Sequence, residues 1–247
     1  MSKRALDQNV ASDTSLTFGE TRVTGSDIRI LNNTNAWLTE TLIAFYFEFL
    51  NSRVFTSYKC SICVPPEITA LIQITPANEI GAFLEPLEVD QKDLIIFALH
   101  GVADSEDMDH SHWSLLVYSK WDNKIFHFDS QNGYNNSAVR SLSEKLQVYF
   151  NINVEVKEVE CLQQKKPQDC GIHVLANAEQ IITYAAKART VNDCPKVSEK
   201  AINEYRQKML KLIWKLKHSS SIYQIKSKQQ PSLFSKSWHD EHDRDRF

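Results

Sequence analysis

Gln164-Lys165-Lys166-Pro167-Gln168-Asp169-Cys170-Gly171 runs directly into an apolar, helix-like stretch that continues to Ala188. The cysteine is thus placed at the first turn of a helix, not in its middle. Unpaired N–H groups and the positive end of the helix dipole gather at that end and stabilise an anionic sulfur. With a histidinium nearby, such a thiol can have its pKa lowered to about 3.5–7.5. Asp169 and Gly171 suit a sharp loop-to-helix entry with room for a carbonyl group. An isolated Cys is more commonly a buried, inert side chain, but the position at the helix start favours a nucleophile.

Working outward, His112-Trp113 precedes the strand-like run Trp113 to Tyr118, and Asp129 closes the alternating run Lys124 to Asp129. Trp121-Asp122-Asn123-Lys124 is the turn between them. If the two runs pair antiparallel, His112 and Asp129 fall at the same end of the hairpin. An Asp that accepts a hydrogen bond from one ring nitrogen leaves the other facing Cys170. Taken singly, His112 reads as a surface His beside an acidic loop and Asp129 as a turn cap. Cys170, His112 and Asp129 together read as nucleophilic catalysis. Gln164 is the fourth member: a side-chain amide with the Cys170 N–H could hold the oxygen on which acyl transfer builds negative charge. Gln163 is its rival for that role.

The rest of the chain frames these residues. Residues 1–27 are polar and aperiodic, which predicts a disordered lead-in. Leu38 to Leu50 carries apolar residues at helical spacing, as does a segment from Pro65-Pro66-Glu67 through Gln73, with Pro at its start. Ala77 to Leu84 reads as another short helix, and Leu94 to Leu99 as a buried strand. Ala138 to Phe150 predicts a helix, Val154 to Val159 a strand, and Val197 to Lys217 an amphipathic helix with basic residues near its end, as the macrodipole favours. Residues 28–217 form one catalytic domain on this reading. The Ser-, Gln- and Lys-rich remainder, 218–247, is expected to be a disordered tail.

Composition narrows the function classes. The chain has 247 residues, 42% of them hydrophobic, with a net charge of −3. That charge argues against nucleic acid as the main partner, since phosphate binding usually shows as a basic excess. No apolar run approaches membrane-spanning length, and Met1 to Gln8 lacks the apolar core of a signal peptide. Cys60, Cys63, Cys161, Cys170 and Cys194 are an odd, scattered set rather than a disulfide framework. The expectation is an intracellular, monomeric protein of the cytoplasm or nucleus. Cys60-Ser61-Ile62-Cys63 has the spacing of half a zinc site without a matching half, and His239 with His242 lies in a charged tail, so no metal and no cofactor is expected. The acidic loop Asp104 to Asp109 reads as solvated, or as a surface for a basic substrate.

His112-Trp113, Asp129 and Gln164 through Gly171 resemble the catalytic motifs of the sentrin/SUMO-specific, ubiquitin-like-protein protease family, and the resemblance is closest to its deneddylase branch. Supporting stretches are Pro65 to Thr69, Ala82 to Leu87, Ser111 to Tyr118 and Phe126 to Ser130, so the likeness spans about residues 28 to 190. It implies an α+β, papain-like fold with a central mixed sheet and the catalytic Cys at a helix N-terminus. It also implies a triad of Cys170, His112 and Asp129 with Gln164 in the oxyanion hole, and a channel for the modifier's terminal Gly-Gly roofed by Trp37 and Trp113. Only residues lacking a Cβ fit close under two indoles. The implied partners are the modifier of the neddylation pathway and its conjugates, such as cullins. Where the family has Asn-Asp after Trp-Leu, this chain has Thr39-Glu40, so Glu40 keeps the acidic charge that would meet the modifier's tail. Other readings are a SUMO or ubiquitin protease of the same fold, an acetyltransferase using the same Cys and His, or an inactive modifier-binding module. Nothing here resembles an acetyl-donor site, and the complete set of four residues argues against the inactive module.

Overall fold

The structure is a computed structural model that describes residues 15–54, 60–102 and 111–218. The acidic loop Asp104 to Asp109, His239, His242 and the tail beyond 218 lie outside the described residues. Strands β1 (Leu16–Phe18) and β2 (Thr21–Val23) form a hairpin, followed by helices α1 (Gly25–Asn32) and α2 (Glu40–Phe49), the latter prolonged by a π-helical turn, Leu50–Val54. Then come β3 (Ser61–Val64), α3 (Pro66–Ile74), α4 (Gly81–Leu84), β4 (Leu94–Val102), β5 (Ser111–Ser119), β6 (Lys124–Phe128), α5 (Asn136–Phe150) and β7 (Glu155–Val159). A 3-10 turn, Pro167–Asp169, leads into α6 (Cys170–Ala188), and α7 (Glu199–His218) completes the domain.

The sheet order is β3-β4-β5-β6-β7, with β3–β4 and β6–β7 parallel and the two central pairings antiparallel. This is the α+β arrangement with a central mixed sheet that the family resemblance implies. Helices cover both faces, so β4 has no solvent-facing side, and that explains why Leu94 to Leu99 is continuously apolar rather than alternating. Leu94, Ile96 and Ala98 pack into the core shared with α2, α6 and α7, whereas Ile95, Phe97 and Leu99 pack into the core shared with α3, α4 and α5.

The second half of the presumed lead-in corrects the sequence reading. Residues 16–18 and 21–23 are strands and α1 begins at Gly25. Three-residue strands are too short to show a period, and their order comes from tertiary contacts. Phe18 meets Phe45 edge-on at 5.9 Å, and the Glu48 carboxylate accepts the Glu20 and Thr21 N–H groups at 2.7 and 3.2 Å. The expected helix from Leu38 starts two residues later because Thr39 caps it, accepting the Leu42 N–H at 3.3 Å. Only Gly81–Leu84 of the stretch from Ala77 is helical, and the last helix begins at Glu199 rather than Val197. Strand β3 is also new. It turns the Cys60–Cys63 segment into a sheet edge in which Cys63 is fully buried, its N–H and C=O both bonded by the Asn51 side chain.

Candidate active site

The β5–β6 hairpin does what its sequence implies. Leu115 pairs with Phe128 across the ladder, and the chain turns at the other end through Asn123 at positive φ. His112, near the start of β5, and Asp129, just beyond β6, therefore meet at one end. The His112 Nε2–H donates to Asp129 Oδ1 at 2.6 Å, and both side chains are buried. Asp129 Oδ1 also accepts the Gln131 N–H at 2.9 Å. Burial works against the Asp129 charge, yet the bond from His112, the Gln131 N–H and the His112 charge hold the carboxyl below its usual range. The other ring nitrogen, His112 Nδ1, is buried with no protein partner.

Cys170 is the first residue of α6 and 1% exposed. Backbone N–H groups of Trp113 and Gly171 reach its sulfur, which places the thiol against the residue that follows His112. The place at a helix start does not by itself lower this thiol, and the sequence reading asked for a histidinium as well. Burial pushes it up to about 11, with those N–H groups pulling the other way. A thiolate here therefore depends on a proton acceptor beside it. Gly171 allows the close fit, because a Cβ there would lie 3.1 Å from Leu38 Cβ. That contact brings the Trp37-Leu38 segment onto the helix that Cys170 opens. Trp37 is 42% exposed, while Trp113 is half-buried and lies tilted against His100, ring centroids 4.4 Å apart. The sequence reading had no signal for His100, which faces Trp113 only through the β4–β5 register.

The two glutamines are separated by their partners. Gln163 turns back on the Asp129 turn, where its Nε2 donates to the Asp129 carbonyl at 3.0 Å and its Oε1 accepts the Asn132 N–H at 3.0 Å. Both ends of that amide are committed. Gln164 is oriented by Ser130, whose hydroxyl donates to Oε1 at 2.7 Å. This leaves Nε2 on long bonds of 3.3 Å to the Pro167 carbonyl and 3.4 Å to Gln131 Oε1. Weakly held donors on the loop entering α6 can be transferred to a developing oxyanion. Gln164→Ala is expected to lower turnover about 10²–10³-fold, the cost of one oxyanion donor. Gln163→Ala should mainly lower stability. Steady-state rates and thermal melts of the two variants separate the roles, and the reverse pattern would exchange them.

Glu40 opens α2 and is exposed, and partial burial followed by the Glu67 charge holds its carboxyl above the usual range. Thr39, in place of an amide residue, donates through its hydroxyl to Asp27 Oδ1 at 3.0 Å. Asp27 also accepts the Thr24 N–H at 2.8 Å, so one buried carboxylate ties together the starts of α1 and α2 beside Trp37. A second device comes from α7. The Arg206 guanidinium is buried and donates to the carbonyls of Ile30 at 3.1 Å, Ala36 at 2.6 Å and Gln168 at 3.4 Å. It spans the segments that carry Trp37 and Cys170. Burial pushes the Cys161 thiol up to about 11, and its S–H meets the Asp129 carbonyl. Burial lowers His173, one turn beyond Cys170, to about 4, so that ring is neutral.

The sequence profile of the Ulp1 protease family, C-terminal catalytic domain, matches residues 88–218. Sentrin-specific protease 8 of Rattus norvegicus is 32% identical over 172 residues, which cover 67% of this chain and 78% of the relative. NEDD8-specific protease 1 of Arabidopsis thaliana is 31% identical over 220 residues, covering 84% of this chain and 96% of the relative. The X-ray structure of the C-terminal Ulp1 protease domain in complex with Smt3, the yeast ortholog of SUMO, superposes with a TM-score of 0.64 at 17% identity. It covers 86% of this chain and 95% of that one.

Proposed function

The chain belongs to the Ulp1 protease family, a family of cysteine proteases, and on that premise we propose that it is a deneddylase. It hydrolyses the bond after the terminal Gly-Gly of NEDD8 on modified lysines and trims the NEDD8 precursor. The observation that carries the mechanism is His112: its Nε2–H is held by Asp129, and its Nδ1 is buried without a protein partner. In the mechanism Nδ1 takes the Cys170 proton as the sulfur attacks the Gly carbonyl. The carbonyl oxygen becomes an oxyanion held by the Cys170 N–H and the Gln164 amide. His112 then returns the proton to the departing lysine amine, and water releases the modifier from the thioester by the same route. Asp129 keeps the ring in the required tautomer and stabilises the imidazolium. Trp37 and Trp113 roof the channel that accepts the two glycines. On this reading the substrates include neddylated cullins, met by a monomeric enzyme of the cytoplasm or nucleus.

Selectivity has to come from outside the reacting atoms, because related modifiers share the terminal glycines. Glu40 and Glu67 form a pair of like charges suited to a basic side chain among the residues that precede Gly-Gly. C-terminal fluorogenic amides of NEDD8, ubiquitin and SUMO, hydrolysed side by side, test this. NEDD8 is expected to lead by tenfold or more, a margin that needs only about 1.4 kcal/mol. Glu40→Gln should narrow it mainly through KM. Equal or faster cleavage of SUMO would overturn the deneddylase assignment and leave the protease standing.

A further inference from the structure

Asn135 sits at the N-cap of α5, where an Asn ordinarily turns its side-chain oxygen onto the N–H groups of the first turn. Here it makes no such bond. Its Nδ2 donates to Ser114 Oγ at 2.8 Å and to the His112 carbonyl at 3.2 Å, and its own N–H points to Asp129 Oδ2 at 3.4 Å. The opposite orientation of the amide would set its oxygen against the carbonyl oxygen of His112. Asn135 is 1% exposed, and its Oδ1 is buried without a partner. The side chain forgoes the cap and leaves a buried oxygen unsatisfied while holding the His112 carbonyl, and the backbone N–H of the same residue reaches Asp129.

Behind Asn135 the bonding continues in one direction. Ser114 Oγ accepts from Asn135; with a neutral His127 whose Nδ1–H donates to Glu158 Oε2 at 2.7 Å, the Ser114 proton goes to His127 Nε2 at 2.9 Å. An amide that must donate stands at one end and a carboxylate that must accept at the other, and for a neutral His127 these ends set every role between them. Ser114 and His127 are buried, while Glu158 reaches the surface on β7. Gly101 completes the seat: a Cβ there would fall 1.9 Å from Asn135 Oδ1. We propose that Asn135, anchored through Ser114 and His127 to Glu158, is a positioning residue that sets His112 against Asp129 for proton transfer. This rests on the reading of Cys170, His112 and Asp129 as the reacting groups.

The test uses Asn135→Ala, Ser114→Ala, Ser114→Thr and Gly101→Ala in the full chain. Active sites are counted with a Cys-reactive NEDD8 probe, and kcat and KM are measured per counted site. Misplacing a catalytic group by about 1 Å costs about 10²-fold. Asn135→Ala and Gly101→Ala should therefore lose about 10²-fold in kcat with KM within twofold. Ser114→Ala should lose less, and Ser114→Thr, which keeps the hydroxyl, should recover toward the parent. Gly101→Ala displaces the amide without removing any donor, so it decides the matter if Asn135→Ala does not fold. Unchanged kcat per counted site, with only a lower melting temperature, would make the chain of bonds purely structural and overturn the proposal. A rise in KM alone would do the same. An inactive parent protein would instead defeat the protease reading.

Discussion

Cys170→Ala is expected to abolish hydrolysis while leaving NEDD8 binding close to that of the parent protein. Loss of a triad nucleophile costs about 10⁶ in kcat, because no other group can form the covalent intermediate. Little else should change. The sulfur receives backbone N–H groups, those of Trp113, Gly171 and Cys170 itself. Alanine is also the residue best suited to a helical position. The surfaces that would hold the modifier, around Trp37, Glu40 and Trp113, do not involve the thiol. Calorimetric binding alongside a turnover assay checks both halves. Residual turnover in the purified variant at more than a trace of the parent rate would remove Cys170 as the nucleophile.

His112→Ala should be nearly as damaging, and it should change the chemistry of the cysteine as well as the rate. With the thiol pushed up to about 11 by burial, only about 10⁻⁴ of it would be thiolate at neutral pH without help. The sign follows from the ionisation. A neutral His112 can accept the proton and form an ion pair, which raises the thiolate fraction at neutral pH. Without His112 that fraction is regained only as pH climbs toward the thiol's own pKa. Alkylation of Cys170 by iodoacetamide, followed against pH, should therefore slow at pH 7 and shift its midpoint upward. A superimposable profile would mean that the two groups do not exchange a proton. The variant should also lose stability, since Asp129 stays buried and keeps backbone donors but loses the ring that offset the cost of burying its charge.

Much of this site was legible because its determinants are local. Cys170 announces itself by standing where an apolar run begins, and His112 and Asp129 by flanking a hairpin whose turn is visible at Asp122-Asn123. Other parts carry no local signal. Leu16–Phe18 and Thr21–Val23 owe their order to Phe45 and Glu48, far along the chain. Asn135 lies in a polar turn that reads as an ordinary helix start, and its partners Ser114, His127 and Glu158 are brought together by sheet register alone. The raised thiol likewise follows from burial, which a helix-start argument does not contain. Gln164 was separable from Gln163 only once Ser130 and the Asp129 turn were in place.

The Arg206 fork has a consequence for biosynthesis. It joins the carbonyl of Ile30 to a helix 176 positions later and reaches Gln168, two residues before the nucleophile, on the way. Translation proceeds at about 5–20 residues per second from the N-terminus. Cys170, His112 and Asp129 all emerge from the ribosome before Arg206 does. Until it arrives, the segments carrying Trp37 and Cys170 lack one of the links between them, the other being the contact of Leu38 with Gly171. On the proposed assignment, a nascent chain therefore holds Cys170, His112 and Asp129 for several seconds before Arg206 can tie the Ile30, Ala36 and Gln168 carbonyls together.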